Sequence, residues 1–350
     1  MGTHRNLAPP FSIQLLDGSN AGPADGAPES NSWLRSLLPA SYRTDSDSLA
    51  TPRCNVTECI ERELDLRRLQ RIHRWLWVAG RPMPPRALHY QLLLGREIFV
   101  TEQMDMHLVQ RADRIFLKPV PRFLLEPRVW SDYLSCVPGC RCSKERAEGG
   151  VSTPSSGRDC DRRGLRKRAL GFLFSYAALI AHESDFFIAV EKRLLPVEVT
   201  WPGWRTLVEE LRVERIFPDI DDRFVYGELR LTRLNMIYSL SQPPHLRGYM
   251  PIWQQYGTFF MDNLNWVASA AVGIFIVLTA MQVGLATSLA DSHAFRSASY
   301  GFTVFTLVAF LVAFGLLIVA FCYMLIGSWV VTVAYKKRRL HAIQTRLGES

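Results

Sequence analysis

The chain has 350 residues, of which 48% are hydrophobic and 21% charged, and its formal net charge is +8. This balance excludes a chain that is disordered throughout, and the length allows one soluble domain beside a membrane segment. The basic residues form separate clusters and not a continuous face with interleaved aromatics. Nucleic-acid binding is therefore not expected, and anionic lipid heads are the favoured acidic partner.

The N-terminal region, residues 1–50, is rich in Pro, Gly, Ser, Asn and Asp and shows no sustained hydrophobic period. This composition predicts a disordered arm. Its opening stretch, Met1 to Gln14, has no apolar core, so a cleaved secretory signal is not expected. Membrane insertion should then depend on apolar segments late in the chain.

Residues 51–242 are predicted to form an α-rich α+β domain. Hydrophobic periodicity and the capping and breaking residues predict helices over 57–79, 84–94, 170–181, 204–213 and 226–240. For the helix over 204–213, Thr200 is the predicted cap and Pro202 is predicted to lie in the opening turn. Alternating apolar runs predict strands over 97–100 and 114–117. The segment Leu170 to Ala181 is apolar on all sides but too short to cross a bilayer, so it should lie at the centre of the core. Residues 137–164 gather Pro, Gly, Ser and basic residues, which indicates an inserted flexible loop.

Two late segments are apolar and long enough to cross about 30 Å of hydrocarbon. The first predicted transmembrane helix covers residues 263–290 and the second covers 299–335, with a short extracytosolic loop at 291–298 between them. An aromatic linker at 243–262 precedes the spans, and a basic tail at 336–350 follows them. The predicted fold class is thus a mainly α membrane protein, in which an α-rich cytosolic domain precedes a two-helix transmembrane hairpin.

The orientation follows from the basic residues Lys336, Lys337, Arg338 and Arg339, which come directly after the second span. Basic residues favour the cytosolic side, so the tail is predicted to lie at the cytosolic membrane surface. Two crossings return the N-terminal domain to that side. The glycosylation sequon at Asn55 should consequently stay unmodified.

Helix packing within the membrane is predicted at small residues spaced by four positions and at one amide that can hydrogen-bond between helices. These residues are Ser269, Gly273, Ala280, Gln282, Gly284, Ala309 and Ala313. The alternative is that they are the ordinary content of any apolar span. Close packing of this kind would also allow a homo-oligomer.

The densest polar cluster is His182, Glu183 and Asp185. Helical spacing brings His182 near Asp185, and this pair is the candidate metal-ligand set. No His-Glu-x-x-His motif and no second matching helix accompany it, so a buried hydrogen-bonded cluster is the favoured interpretation.

The cysteines and glycines indicate no cofactor. Cys136, Cys140, Cys142 and Cys160 lack the paired spacing of zinc ribbons, which favours free thiols over a metal site. The sequence has no Gly-x-Ser-x-Gly elbow and no glycine-rich phosphate loop, so no enzyme class is predicted.

Two further groups have a functional and a structural interpretation. The basic run Arg162, Arg163, Arg166, Lys167 and Arg168 could contact acidic lipid heads, but a solvated face is the favoured interpretation. The tryptophans at 75, 77, 201 and 204 could form a ligand groove, but large aromatic side chains more often serve the core.

Several strings resemble a family of uncharacterised membrane proteins of filamentous fungi. They are HRWLW at 73–77, RIFLKPVP at 114–121, FLLEP at 123–127, ALIAHESDF at 178–186 and LTAMQVGLAT at 278–287. The resemblance covers about residues 55–335. It implies the same architecture and a fungal source, and it carries no established activity.

Three functional hypotheses follow. The first is a membrane-anchored cytosolic domain that acts through a cytosolic protein partner or the lipid bilayer, because no catalytic motif and no ionisable residue inside the spans was found. The second is an oligomeric two-span ion channel or transporter, whose layout resembles the CorA-type magnesium channels although the Gly-Met-Asn signature is missing. The third is a membrane-bound enzyme of unrecognised type.

Overall fold

A computed structural model describes residues 8–16, 32–45, 47–136, 161–241, 249–250, 256–286 and 292–348. The chain divides into two compact units, Met1–His245 and Leu246–Ser350. Helices make up 61% of the structure and are accompanied by a small sheet, which confirms a mainly α chain that ends in two long apolar helices. The predicted inserted loop lies outside the described residues except for its last four, which begin a helix.

The helices of the N-terminal unit vary from four to nineteen residues. They are α1 (Ser32–Arg35), α2 (Val56–Glu63), α3 (Arg67–Gln70), α4 (Leu76–Ala79), α5 (Leu88–Leu93), α6 (Pro127–Asp132), α7 (Asp161–Leu179), α8 (Glu183–Glu191), α9 (Trp201–Glu210) and α10 (Leu231–Ser241). The predicted start of α9 is confirmed, because the Thr200 side chain accepts a hydrogen bond from the Gly203 N–H and Pro202 lies in the first turn. That pairing satisfies a backbone donor that the helix itself leaves open.

The strands form two sheets. They are β1 (Tyr42–Arg43), β2 (Leu49–Ala50), β3 (Glu97–Val100), β4 (Val109–Arg111), β5 (Arg114–Leu117) and β6 (Leu229–Arg230). The first two make a small antiparallel ribbon, and the other four have the order β3-β5-β4-β6. The middle pair is antiparallel and both outer pairs are parallel. The predicted strands β3 and β5 are confirmed, with the bounds that the sequence indicated.

The predicted helix over 57–79 differs from the structure, which has three helices and a 3-10 turn there. The first of them begins after Asn55, whose Oδ1 accepts the Glu58 N–H at 3.1 Å. It ends at Glu63, and α3 begins where Asp65 Oδ1 accepts the Arg67 N–H at 2.8 Å. A short carboxylate that binds its own downstream backbone competes with helix continuation, which is why the run breaks.

The core is built around α7, whose side chains from Leu170 to Tyr176 are all buried, as predicted for this apolar segment. Close packing leaves room for a glycine alone at Gly171, because a Cβ there would lie 2.7 Å from Phe224 Cγ. This contact fixes α7 against the 3-10 turn at 222–225.

A buried polar centre joins α7 to the sheet through His107. Its Nε2 lies 2.8 Å from Ser175 Oγ, and its Nδ1 accepts the Lys118 N–H at 3.1 Å. Since Nδ1 accepts, the ring is the neutral tautomer that carries its proton on Nε2. Ser175 in turn donates to the Phe172 carbonyl at 2.6 Å. Burial, together with the nearby charges of Arg223 and Lys118, holds the pKa of His107 well below its usual value.

We expect this histidine to make stability depend on pH. The pKa is depressed in the folded state, so the unfolded chain binds a proton that the folded chain does not bind once the pH falls below about 6.5. The contribution of His107 should reduce the free energy of unfolding by up to about 1.4 kcal/mol per pH unit below that value. Urea unfolding of the full chain at several pH values between 5 and 7.5 measures the slope, and His107→Gln should flatten it. An unchanged slope in that variant would contradict the assignment.

The described N-terminal stretches differ from the predicted disordered arm. Phe11, Leu15, Leu34 and Tyr42 are buried, and Phe11 packs edge-on against Trp130 with ring centroids 6.1 Å apart. Isolated apolar residues between turn-forming ones show no period, so periodicity could not indicate that this stretch packs.

The C-terminal unit contains the helices α11 (Tyr256–Leu285) and α12 (His293–Gly348). The segments Ala268–Leu285 and His293–Leu316 are long and apolar enough to cross a membrane. α12 extends beyond the predicted second span and includes the basic positions of the predicted tail. In the N-terminal unit, α7 and α8 pass the same test together, but they are bent by 115° and have many buried side chains.

Candidate functional site

The predicted metal pair is placed in a hydrogen-bonded junction. Asp185 is fully buried, and its carboxylate accepts the His182 N–H at 3.0 Å. The same carboxylate lies 2.8 Å from His89 Nδ1 and 2.7 Å from the His89 backbone nitrogen. Within the described residues there is no group of three or more His, Cys, Asp and Glu side chains that could hold a metal. The junction joins α5 to α8, and the role of His182 and Asp185 as metal ligands stays an untested prediction.

The cysteine candidates lie mostly outside the described residues. Cys136 is half-buried and forms no disulfide with another described residue, while positions 140, 142 and 160 are not described. Cys59 is buried, and burial with the nearby carboxylates of Glu63 and Glu58 raises the pKa of its thiol to about 12. Cys59 therefore provides no reactive thiolate at neutral pH.

Of the predicted transmembrane packing residues, Gly284 faces the other helix of the C-terminal unit. A Cβ at Gly284 would lie 2.6 Å from Phe295 Cζ, so the glycine permits close approach of α11 and α12. The other six predicted positions, Ser269, Gly273, Ala280, Gln282, Ala309 and Ala313, are exposed in the single chain. Their predicted role in association stays untested, as does the surface role of Lys336, Lys337, Arg338 and Arg339.

One cavity of the N-terminal unit is an open groove of about 900 Å³, here called the basic groove. Its basic lining residues are Arg163, Arg166, Lys167, Arg212 and Arg215, and its acidic ones are Glu210 and Asp219. Five positive and two negative side chains leave an excess of three positive charges. The remaining lining is largely apolar and includes Phe11, Leu170 and Ile216.

Two elements position the cations of the groove. α7 carries three of them at its N-terminal end, where i, i+3 and i+4 spacing places Arg163, Arg166 and Lys167 on one face. Arg212 and Arg215 lie just after α9, where the backbone turns. Arg212 has a left-handed backbone with φ of 48°, which is uncommon for a residue with a side chain. Both Arg212 and Arg215 line the groove.

Arg166 is the cation most deeply involved with the protein. Its Nη2 donates to the Ala8 carbonyl at 2.6 Å, and its guanidinium lies 5.6 Å from the centre of the Trp130 ring. Its Nη1 is buried and has no hydrogen-bond partner among the residues that the structure describes. Burial lowers the pKa of Arg166, an effect that nearby Asp219 opposes. A buried donor without a partner costs free energy, which an acidic ligand that reaches this atom would offset.

The stretch 8–12 forms one wall of the groove. Ser12 is tied to Glu210, because its backbone N–H and its hydroxyl both donate to that carboxylate. The Glu210 carboxylate thus already accepts two hydrogen bonds from Ser12. Arg212 and Arg215 make no side-chain hydrogen bond or ion pair to the rest of the described chain. The groove therefore presents exposed cations beside an apolar floor.

Sequence reasoning identified part of this groove. The basic run predicted Arg163, Arg166 and Lys167, but it could not supply Arg212 and Arg215, which lie more than forty positions further along the chain. The tryptophans of the predicted ligand groove are not brought together into one site. Trp204 is buried in the core, Trp201 packs on Phe186 at 5.8 Å, and Trp75 and Trp77 are exposed.

A family model described as a family of unknown function, DUF6601, matches residues 56–310 of the chain. No curated protein matches the chain. No solved structure matches it either.

Proposed function

The chain belongs to DUF6601, a family of unknown function, and we propose that it is a two-span membrane protein whose N-terminal unit faces the cytosol and binds an acidic partner segment. The basic groove is the proposed binding site. The partner is a protein segment in which Asp or Glu alternates with apolar residues, because the groove combines exposed cations with an apolar floor. This is the membrane-anchored interaction domain that the sequence predicted.

The membrane assignment is supported by the composition of the C-terminal unit. Two helices are long enough to cross a bilayer, and apolar side chains are exposed along most of their described length. Exposing this apolar surface to water would cost free energy, whereas lipid would cover it. Lys336 to Arg339 follow the apolar part of α12, which supports a cytosolic C-terminus. An even number of spans then places the N-terminal unit in the cytosol.

The assignment of an acidic partner rests on the single observation that five cations converge on a groove of about 900 Å³. That volume is at the upper end of the range for small-molecule sites, so the groove can take a peptide segment as well as a compact ligand. Complementary charge would steer and orient the partner, and the apolar floor would add affinity by burial. The channel and enzyme alternatives stay predictions without a specific supporting observation.

Membrane insertion and orientation are tested together in sealed microsomes. We expect the full chain to resist alkaline carbonate extraction and a chain that ends at residue 245 to be released. Protease added from outside should digest the N-terminal unit, and peptide N-glycosidase should leave the mass unchanged because Asn55 lies in the cytosol. Release of the full chain by carbonate would contradict the spans. A glycan on Asn55 would overturn the orientation.

The groove is tested by charge reversal. We expect the double variant Arg212→Glu and Arg215→Glu to weaken binding of a synthetic peptide of alternating Glu and Leu at least about tenfold, because two attractive contacts become repulsive. Fluorescence anisotropy on the full chain in detergent measures the affinity. The matched control reverses Arg43 and Arg53, which are exposed outside the groove. Equal weakening in both variants, or equal binding of a Gln-Leu peptide, would rule out the groove as the acidic-segment site.

A further inference from the structure

A second surface of the N-terminal unit combines exposed aromatic, aliphatic and arginine side chains. We propose that this surface, here called the aromatic–arginine face, docks on a bilayer that contains anionic phospholipid, with the lipid phosphate held by arginines. We define the face by six exposed residues that lie on or beside elements in contact with one another, namely Trp75, Trp77, Arg81, Arg230, Met236 and Leu240.

The apolar part of the face is unusually exposed for such large side chains. Trp75 and Trp77 are 51% and 62% exposed, and Met236 and Leu240 of α10 are 51% and 72% exposed. Packing places α4 directly against α10, where Arg233 Nη1 donates to the Val78 carbonyl at 2.8 Å. The tryptophans and the apolar stripe of α10 therefore belong to neighbouring elements. Tryptophan is enriched where a protein meets the headgroup region, because its ring is apolar and its N–H is polar.

A small arginine pocket lies between the same elements, because its lining includes Ala79 of α4 and Arg233 of α10. It has a volume of about 130 Å³ and is lined by Arg81, Arg86, Arg230 and Arg233 beside Gly80 and other residues. That volume is well below the range of ordinary small-molecule sites and suits a single compact group such as a phosphate. Arginine is the side chain best matched to phosphate oxygens, because its guanidinium offers a planar fork of donors.

The one acidic residue of the pocket already has its own partners. Glu228 accepts hydrogen bonds from Arg96 Nη1 at 2.8 Å and from Gln91 Nε2 at 2.6 Å. Arg81 and Arg230 are exposed and make no side-chain hydrogen bond or ion pair elsewhere in the described chain. The arginine pocket thus has cations that remain available to an incoming anion.

The position of the face in the chain identifies a bilayer as its occupant. α10 carries Met236 and Leu240 and ends at Ser241, and fourteen residues separate it from Tyr256, where α11 begins. A connection of this length reaches at most about 50 Å when fully extended. If α11 spans the membrane, as the proposed function states, the face stays close to a lipid surface at high effective concentration. Aromatic insertion and arginine contacts then act together.

Hydrogen exchange of the full chain in lipid nanodiscs tests this proposal. We expect the amides of 70–83 and 233–241 to exchange more slowly in discs of phosphatidylcholine with phosphatidylserine than in discs of phosphatidylcholine alone. Arg81→Gln with Arg230→Gln should reduce the docking equilibrium constant about thirty-fold, because the loss of each arginine near an anionic surface reduces that constant about fivefold. Exchange in the variant should then return to the rate seen without phosphatidylserine. Trp75→Ser with Trp77→Ser should have the same effect through lost insertion.

The controls separate this proposal from its alternatives. Arg43→Gln with Arg53→Gln removes equal charge elsewhere and should leave the protection intact. Protection that appears on adding inorganic phosphate to phosphatidylcholine discs would show that the pocket binds a free anion, and it would overturn lipid docking. Equal exchange in both disc types would overturn it as well. Failure of the chain to enter discs at all would count against the proposed membrane function, which is a separate result. Unchanged thermal unfolding of each variant shows that the fold is kept.

Discussion

Replacing Lys118 by Met is expected to lower the free energy of unfolding of the N-terminal unit by about 3–5 kcal/mol. The ammonium group is fully buried, and its Nζ lies 2.6 Å from a Glu63 carboxylate oxygen and 2.7 Å from the Glu102 carbonyl. Methionine fills a similar volume but leaves the largely buried Glu63 carboxylate without its cation. Removing one partner of a buried ion pair strands the other charge in a medium that solvates it poorly.

Two further variants separate this effect from general damage. Glu63→Gln added to Lys118→Met should recover part of the loss, because the stranded charge is removed. Lys192→Met breaks the exposed contact between Lys192 and Glu191 at 3.2 Å and should change stability by no more than about 0.5 kcal/mol. Urea unfolding of the full chain in detergent, followed by tryptophan fluorescence, measures all three. A loss for Lys118→Met no larger than that for Lys192→Met would contradict the importance of the buried ion pair.

The sequence predicted elements whose signals are local. β3 and β5 were found from short alternating runs, and α9 from its threonine cap and early proline. The two long apolar helices were found because a span needs a long run of apolar residues and few other structures do. β4 and β6 have three and two residues, so they are too short to show a period.

Longer-range contacts were beyond prediction. Asp185 was expected to pair with His182 along one helix, but its carboxylate also binds His89, ninety-six positions earlier in the chain. Lys118 was not identified at all, since a lone lysine after a strand is normally exposed and only the tertiary fold supplies Glu63 and Glu102. Only part of the basic groove was predicted, because the sequence shows local clusters but not contacts made by folding. α7 shows its cations as a cluster in sequence, whereas Arg212 and Arg215 join them through folding.

The face and the groove together suggest how the N-terminal unit could work beside a membrane. They are lined by different residues, so lipid and an acidic partner need not compete for the same side chains. Lipid docking would restrict the orientations of the unit. The groove would then lose less rotational entropy when it binds its partner. The charge-reversal variants in the groove and the neutral variants in the face allow the two sites to be switched off separately.

The two glycines of α7 should respond in opposite directions to the same substitution. Gly171→Ala is expected to destabilise the N-terminal unit by about 1–3 kcal/mol, because the new Cβ would lie 2.7 Å from Phe224 Cγ and 3.0 Å from Phe224 Cβ. Contact with both atoms means that a rotation of the ring cannot relieve the overlap. The buried side chain would have to move as a whole, in a core that is closely packed.

Gly164 provides the matched control, since its added Cβ would meet only the Arg168 side chain, at 3.6 Å. Alanine there should stabilise the helix by about 0.5–1 kcal/mol, because glycine loses more backbone entropy than alanine on entering a helix. Thermal unfolding of the full chain in detergent should therefore shift down for Gly171→Ala and up for Gly164→Ala. A higher unfolding temperature in both variants would mean that helix propensity outweighs packing at Gly171. It would also mean that Phe224 can move to make room for the added methyl group. A loss in both would mean that the first turns of α7 are under constraints other than backbone entropy.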